Sequence, residues 1–192
     1  TFVANGGGHY FFVGGDSGVG SPAVIVTPTS ILDLSNGVGQ IKFPATQVAS
    51  ANANTLDDYE EGDWTPRLSG TGGGDYTPGG INAGRYIKIG KMVYATCQLQ
   101  WTAQVTAYGG NLSVTGLPFT SGGVRAIGAL GGVSSGLSFT AGYSSFAYLI
   151  DPGYSFVYII QGATSGSGYS HNPTAGTTGI VYGITIVYEA AN

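Results

Sequence analysis

Apolar residues in this chain come in short runs that alternate with polar residues and do not recur at helical spacing. In the stretch Met92–Trp101, every second residue is apolar, at Val93, Ala95, Cys97, Leu99 and Trp101. Clusters of Gly, Pro, Asn and Ser separate such runs about every eight to twelve residues. Because alternate side chains share one face of a strand, the pattern predicts an all-β fold.

The composition excludes several classes of protein. Of 192 residues, 42% are apolar and 35 are Gly, and the net charge is −4. Disorder is not expected, because disordered chains are poorer in apolar residues and more highly charged. Six Lys and Arg residues cannot neutralise a run of phosphates, so we expect no nucleic-acid partner. No apolar run reaches membrane-spanning length, so membrane insertion is not expected either.

Residues 1–44 are predicted to form a first, shaft-like β segment. Its strands are very short, because Gly, Ser-Pro and Asn-Gly interrupt them. About forty residues without a disulfide cannot bury a core of their own. We therefore expect three copies to wind around one axis and share a core. The predicted strands are Phe2–Val3, His9–Val13, Ala23–Val26, Ser30–Leu34 and Gln40–Phe43.

Residues 45–63 are predicted to be a joint, with a small polar linker followed by a cluster of acids. Thr55 and Asp58 are spaced to cap one helical turn that Gly62 ends. Clustered carboxylates suit Ca²⁺, but the spacing is not that of an EF-hand loop. We therefore favour ion pairs across a trimer, with Lys91 as a further cation and Asp63 as a further acid, and predict no metal. The predicted joint and trimer contacts are Asp57, Asp58, Tyr59, Glu60, Glu61, Trp64, Arg85 and Lys88, with Tyr59 and Trp64 packed beneath the charges.

Residues 64–192 are predicted to form a β-sandwich or jelly-roll knob. A hairpin is expected at Gly84–Ile89 and Met92–Trp101, around Gly90-Lys91. The runs Phe156–Ile160 and Ile180–Tyr188 are apolar on both faces, which indicates burial against a second subunit. Further strands are predicted at Leu112–Thr115, Val124–Leu130, Leu137–Thr140 and Ser145–Ile150.

Five stretches of the chain form a recognisable pattern: Phe43–Gln47, Asn54–Gly62, Trp64–Pro66, Gly84–Gly90 and Leu112–Phe119. This pattern resembles bacteriophage and prophage tail fibres, at the joint between a thin shaft and the C-terminal knob. The family's pattern has Thr at Asp63 and Asn at Lys91. The resemblance implies a homotrimer whose distal loops contact the host cell envelope, most often its polysaccharide, and it carries no binding residue onto this sequence.

Catalytic and cofactor sites are weakly signalled. Only Asp151 and Glu189 are acidic after Asp75, which leaves few candidates for the carboxylate pair of a glycosidase. Gly132–Gly136 fits the G-x-S-x-G pattern, but no helical pattern follows it, as a nucleophile elbow requires. We therefore expect no enzyme activity and no cofactor.

Binding of a sugar requires aromatic faces surrounded by hydroxyls and amides. The loops supply them next to Gly and Pro, and the Gly162–Gly179 loop is the longest of the second half. The alternative is that these tyrosines pack at a trimer interface. The candidate ligand-binding residues are Tyr108, Tyr143, Tyr154, Tyr169, His171 and Asn172.

The sequence thus predicts the receptor-binding tip of a tail fibre, at the distal end of a virion. It would attach to a bacterial surface glycan such as O-antigen or capsule, or to an outer-membrane protein. The alternatives are a glycan-cleaving or deacetylating tailspike fragment and a purely structural trimerisation cap. Because the chain begins at Thr1 and its one methionine is Met92, we expect it to be part of a longer polypeptide.

Overall fold

The chain is all-β in a computed structural model. It divides into two compact units, Thr1–Phe43 and Pro44–Asn192. Within the ranges given below, no helix is long and apolar enough to cross a membrane. The structure describes residues 2–5, 8–11, 24–26, 32–33, 41–43, 55–56, 58–165, 168–170 and 173–191.

The first unit contains a small antiparallel sheet with the strands in chain order. Four of the five predicted strand positions coincide with observed strands, whereas the prediction at Gln40–Phe43 is wrong, because residues 41–43 form no regular structure. Trimeric winding of this unit stays a prediction. The strands are β1 (Phe2–Asn5), β2 (Gly8–Phe11), β3 (Val24–Val26) and β4 (Leu32–Asp33).

The second unit is a twelve-stranded antiparallel sheet. The strands are β5 (Tyr59–Trp64), β6 (Arg67–Gly70), β7 (Asp75–Pro78), β8 (Ala83–Ile89), β9 (Met92–Thr106), β10 (Leu112–Thr115), β11 (Ala126–Ala129), β12 (Gly132–Ser138), β13 (Tyr143–Ile150), β14 (Phe156–Ala163), β15 (Tyr169–Ser170) and β16 (Thr174–Glu189). The main path of the sheet runs β11-β13-β14-β10-β6-β7-β9-β16-β12, with β8 beside β9, β5 beside β8, and β15 beside β14. The predicted hairpin is confirmed as β8 and β9.

One core joins the two halves of this sheet. The alternation predicted for β9 is confirmed, since its five apolar positions are all buried. Side chains from β9 and β16 pack in the same cluster as side chains from β10, β13 and β14. Two buried tyrosines tie the halves together: Tyr148 on β13 accepts a hydrogen bond from the Val187 amide (3.1 Å), and Tyr188 on β16 donates one to the Phe119 carbonyl (2.9 Å). Burial raises the pKa of Tyr188 to about 12, so its hydroxyl stays protonated at neutral pH.

The run Ile180–Tyr188 in β16, whose sequence is apolar on both faces, does not keep one alternation along its length. The register with β9 shifts between Val181 and Ile184, and Gly183 has a φ of 62°, which defines a β-bulge with a left-handed glycine. Val181 before the bulge and Ile184 after it both point into the core. Tyr182 and Val187 remain exposed. The strand therefore has one buried face, and the bulge explains why its sequence reads as apolar on both sides.

The joint ends in a strand and not in a helical turn. Residues Tyr59–Trp64 form β5, which pairs with β8 along its whole length. Gly62, predicted to end a helix, lies in mid-strand opposite Tyr86. Pairing with β8 offers β5 six backbone partners, whereas a single capped helical turn is only marginally stable.

Four glycines in strands lie directly opposite an aromatic side chain of the neighbouring strand. At each of them an added Cβ would collide with that ring. Gly is unfavourable in a strand interior unless something packs over it, and an aromatic ring laid across the neighbouring strand fills the missing volume. The pairs are Gly62–Tyr86, Gly84–Trp64, Gly128–Tyr148 and Gly179–Trp101.

Gly179→Ala is expected to lower the free energy of unfolding by about 1–3 kcal/mol, because the new methyl group overlaps the Trp101 ring. Gly176→Ala, on the same strand, is the matched control, since its Cβ makes only ordinary contacts at 3.6 Å or more. Urea denaturation of both variants measures the difference. Equal stabilities would contradict the role assigned to the ring.

Candidate functional site

The turn between β13 and β14 is held on a single buried serine, Ser121. The Ser121 hydroxyl donates to the Asp151 carbonyl (2.7 Å) and accepts from the Tyr154 amide (3.1 Å). The Ser121 backbone accepts from the Gly153 amide (3.1 Å) and donates to the Tyr154 carbonyl (2.9 Å). Four hydrogen bonds to one residue fix the path of this turn, which we name the Ser121 bracket.

Ser121 is itself anchored to the end of β16. It forms a β-bridge with Ala190. On either side of it, the Gly122 amide donates to the Glu189 carbonyl (2.6 Å) and the Ala191 amide donates to the Thr120 carbonyl (2.8 Å). The turn is therefore attached to a long core strand, which is the rigid support that a preformed binding surface needs.

Three aromatic rings cluster where the bracketed turn enters β14. The ring centroids of Tyr154 and Phe156 are 4.8 Å apart, those of Phe156 and Tyr158 are 5.1 Å apart, and those of Tyr154 and Tyr158 are 6.2 Å apart. Phe156 and Tyr158 share the outward face of β14, because Val157 and Ile159 point into the core. We call these three residues the aromatic cluster.

Tyr154 is the most accessible member of the cluster, with 42% of its surface exposed. The pKa of Tyr158 is raised by burial and then by the nearby Tyr154 and Asp151. Its phenol adds a polar O–H group to the aromatic surface.

An ion pair borders the aromatic cluster. The Arg125 Nε donates to the Asp151 Oδ1 at 2.6 Å, and the Arg125 side chain is 58% exposed. Guanidinium and carboxylate groups add donors and acceptors to the rings. The whole surface thus combines aromatic faces with polar groups, the combination predicted for a sugar site.

The other predicted tyrosines lie away from Tyr154. Tyr143 and Tyr169 sit on the strands that flank the far end of β14, where they pair with Ala163 and Gly162. Tyr169 is 43% exposed. Since β14 has eight residues, its two ends are separated by roughly 20 Å. The predicted tyrosines therefore do not form one site.

Tyr108 lies in the loop between β9 and β10, but its side chain is partly buried against the core. Its ring lies 6.3 Å from Tyr76, and its hydroxyl donates to the Pro173 carbonyl at 3.3 Å. The candidates His171 and Asn172 fall outside the described residues. Of the six predicted ligand-binding residues, Tyr154 is the one that the described structure places in an aromatic cluster with a charged border.

The joint contains a buried ion pair. Lys88 and Asp58 are both almost wholly buried and contact each other, and the Lys88 ammonium also lies 3.6 Å from the Glu60 carboxylate. The ammonium stands 5.3 Å from the Phe119 ring centroid, within cation–π range. The Asp58 carbonyl accepts from the Gly90 amide (3.0 Å). The chain entering β5 is thus fixed to the β8–β9 turn.

The other joint residues divide between surface and core. Ion pairs between acids of the joint and bases of β8, which were expected across a trimer, occur within one chain. Arg85 lies 3.7 Å from Asp63, and both side chains are at least 80% exposed. Trp64 is buried, whereas Tyr59 is exposed and donates to the Glu61 carboxylate (2.8 Å). Within one chain Tyr59 does not pack beneath the charges, because it lies on the solvent side of β5, and its role as a trimer contact stays a prediction. Asp57 is outside the described residues.

An open cleft beside the β16 bulge was not predicted from the sequence. It has a volume of about 660 Å³, with Trp64, Arg85, Gln98 and Tyr182 among its lining residues. The left-handed Gly183 re-aims Tyr182 to solvent, which is a common effect of bulges. A lone Gly inside an apolar run was the available signal for this feature.

Comparison with known proteins returns no match, either to a protein-family model or to a curated protein. The resemblance to tail fibres stays a prediction from the residues quoted for it. Ser134 of the G-x-S-x-G pattern lies inside β12. Among the described residues, no group of three or more His, Cys, Asp or Glu side chains is arranged to hold a metal ion.

Lys88→Met is expected to lower the free energy of unfolding by about 3–5 kcal/mol, because it leaves Asp58 buried without its counter-ion. Arg85→Met, which removes the exposed pair with Asp63, is the control and is expected to cost no more than about 1 kcal/mol. Chemical denaturation compares them. Similar losses for both would refute the anchoring role of Lys88.

Ser121→Ala is expected to accelerate hydrogen exchange of the Tyr154 amide roughly tenfold, because that amide loses its acceptor and the turn loosens. Ser113→Ala is the control, since Ser113 is equally buried but bonds to the Ser69 carbonyl. NMR exchange rates provide the measurement. An unchanged rate in Ser121→Ala would show that the bracket does not hold the turn.

Proposed function

We propose that this chain is the non-enzymatic receptor-binding tip of a bacteriophage tail fibre, which attaches the virion to a bacterial surface glycan. The observation that carries the proposal is the aromatic cluster presented on the Ser121 bracket beside the Arg125–Asp151 pair. The glycan-binding residues are Tyr154, Phe156 and Tyr158, with Arg125 and Asp151 at the border.

The chemistry of this surface suits a sugar. A pyranose ring has one face of C–H groups that packs on an aromatic ring, and hydroxyls around its rim that exchange hydrogen bonds with polar side chains. Tyr154 supplies the accessible ring, while Arg125 and Asp151 supply a donor and an acceptor at the same turn. Because the bracket holds the turn before the ligand arrives, little conformational entropy is lost on binding.

The proposed assembly is a homotrimer in which residues 64–192 form a β-sandwich knob at the distal end of the fibre. A single shallow sugar contact is weak, but three sites on one rigid knob act together by avidity. The shared core of the two sheet halves supports the knob, since it provides one stiff body from which the turn projects.

Tyr154→Ala is expected to weaken binding of the host polysaccharide about tenfold per site, because a stacked aromatic contributes roughly 1.4 kcal/mol. Tyr169→Ala is the matched control, with nearly the same exposure (43% against 42%) at the opposite end of β14. Isothermal titration with purified oligosaccharide measures both. A loss confined to Tyr169→Ala would move the site to the other end of β14 and overturn this assignment.

The same preparation tests the other functions. A fall in polymer size or a release of acetate during incubation would favour a glycan-cleaving or deacetylating tailspike. Binding to cells stripped of polysaccharide would favour an outer-membrane protein receptor. Failure of the labelled protein to decorate host cells would favour a trimerisation cap.

A further inference from the structure

The solvent side of β5, β8, β9 and β16 forms a regular grid of side chains. One row crosses from Glu61 through Ile87 and Tyr94 to Val187, following the strand registers. A second row crosses from Tyr59 through Ile89 and Met92 to Glu189. A third row, with Asp63, Arg85, Thr96 and Thr185, completes the surface, which we name the outer face.

The centre of the outer face is apolar although it faces water. Six adjoining apolar side chains are 38–52% exposed, whereas their chain neighbours on β9, Val93 and Ala95, are wholly buried on the opposite side. Single exposed apolar residues are common, but a contiguous group of this kind marks an interaction surface. The six are Tyr59, Ile87, Ile89, Met92, Tyr94 and Val187.

The size of this patch fits a protein partner. Six half-exposed side chains of this kind leave on the order of 500 Å² of apolar surface. With its polar border, the outer face approaches the roughly 800 Å² that each partner buries in a standard interface. A small molecule covers less of such a surface than a protein partner does.

The charges on the outer face are complementary to one another. Three acids (Glu61, Asp63 and Glu189) and two bases (Arg85 and Lys91) surround the apolar centre. Arg85 lies 3.7 Å from Asp63, and Lys91 lies 4.0 Å from Glu189. Such exposed pairs are weak, so each base can exchange its acid for an acid of a neighbouring copy. A surface of one sign repels its own copy, whereas this surface carries both signs.

We infer that the outer face is the surface through which copies of this chain associate. The inference deepens the proposed function, since a homotrimer needs an interface, and it rests on that function only for the number of copies. The apolar rows form the centre of the contact and the ion pairs its border, which is the usual arrangement of a protein interface.

The test compares Tyr94→Asp with Val105→Asp, both on β9. Tyr94 is at the centre of the patch and 51% exposed, whereas Val105 is 61% exposed and lies outside it. Light scattering of the wild-type chain is expected to give a multiple of 19.5 kDa. Val105→Asp keeps that mass, and Tyr94→Asp lowers it towards one chain. Circular dichroism checks that each variant is folded.

Ile89→Asp, 51% exposed in the neighbouring row, gives a second reading if Tyr94→Asp does not fold. A wild-type mass of one chain, or folded Tyr94→Asp and Ile89→Asp that keep the wild-type mass, would overturn the inference.

Binding of a short oligosaccharide is measured on the same samples. A dissociated variant that still binds it supports both ideas. Dissociation together with no sugar binding by the wild type rejects the proposed function and leaves the interface standing.

Discussion

Aromatic rings laid across opposing glycines fix the packing of three strand pairs in the sheet of the second unit. Each ring fills the volume that a side chain would occupy at the glycine. Because the glycine has no Cβ, the ring can pack directly against its backbone. Trp64 and Tyr86 join β5 to β8, and Trp101 joins β9 to β16. The strands that carry the joint and the outer face are therefore positioned by these contacts. The abundance of glycine, which in isolation suggests loops, is in part a requirement of strand packing.

The sequence predicts the fold class and several strands well, because alternation is a local property. The buried side of β9 follows directly from its apolar positions, and the β8–β9 turn follows from Gly90. The strands β6 and β7 were not predicted, since Arg67–Gly70 and Asp75–Pro78 contain few apolar residues. The break in the alternation of buried and exposed residues in β16 was also not predicted, because only the left-handed backbone of Gly183 distinguishes a bulge from continuous alternation.

The candidate site was predicted in part. Tyr154 after Pro152-Gly153 was identifiable as an aromatic residue at a turn, but Phe156, Tyr158 and Arg125 reach it only through strand pairing and the folding of the chain around Ser121. The charged joint shows the same limit. Its acids were evident, yet the difference between Asp58 in the interior and Asp63 at the surface depends on the register of β5 against β8. Composition gives the residue types, and long-range pairing decides which of them meet.

The Ser121 bracket separates the shape of the turn from the side chain that the turn presents. Its bonds involve the Ser121 hydroxyl and backbone atoms of the turn, and none uses the side chain of Tyr154. The exposed Tyr154 side chain can therefore be replaced while the turn keeps its shape. The conformation of the turn and the chemistry of its surface are thus encoded at different positions.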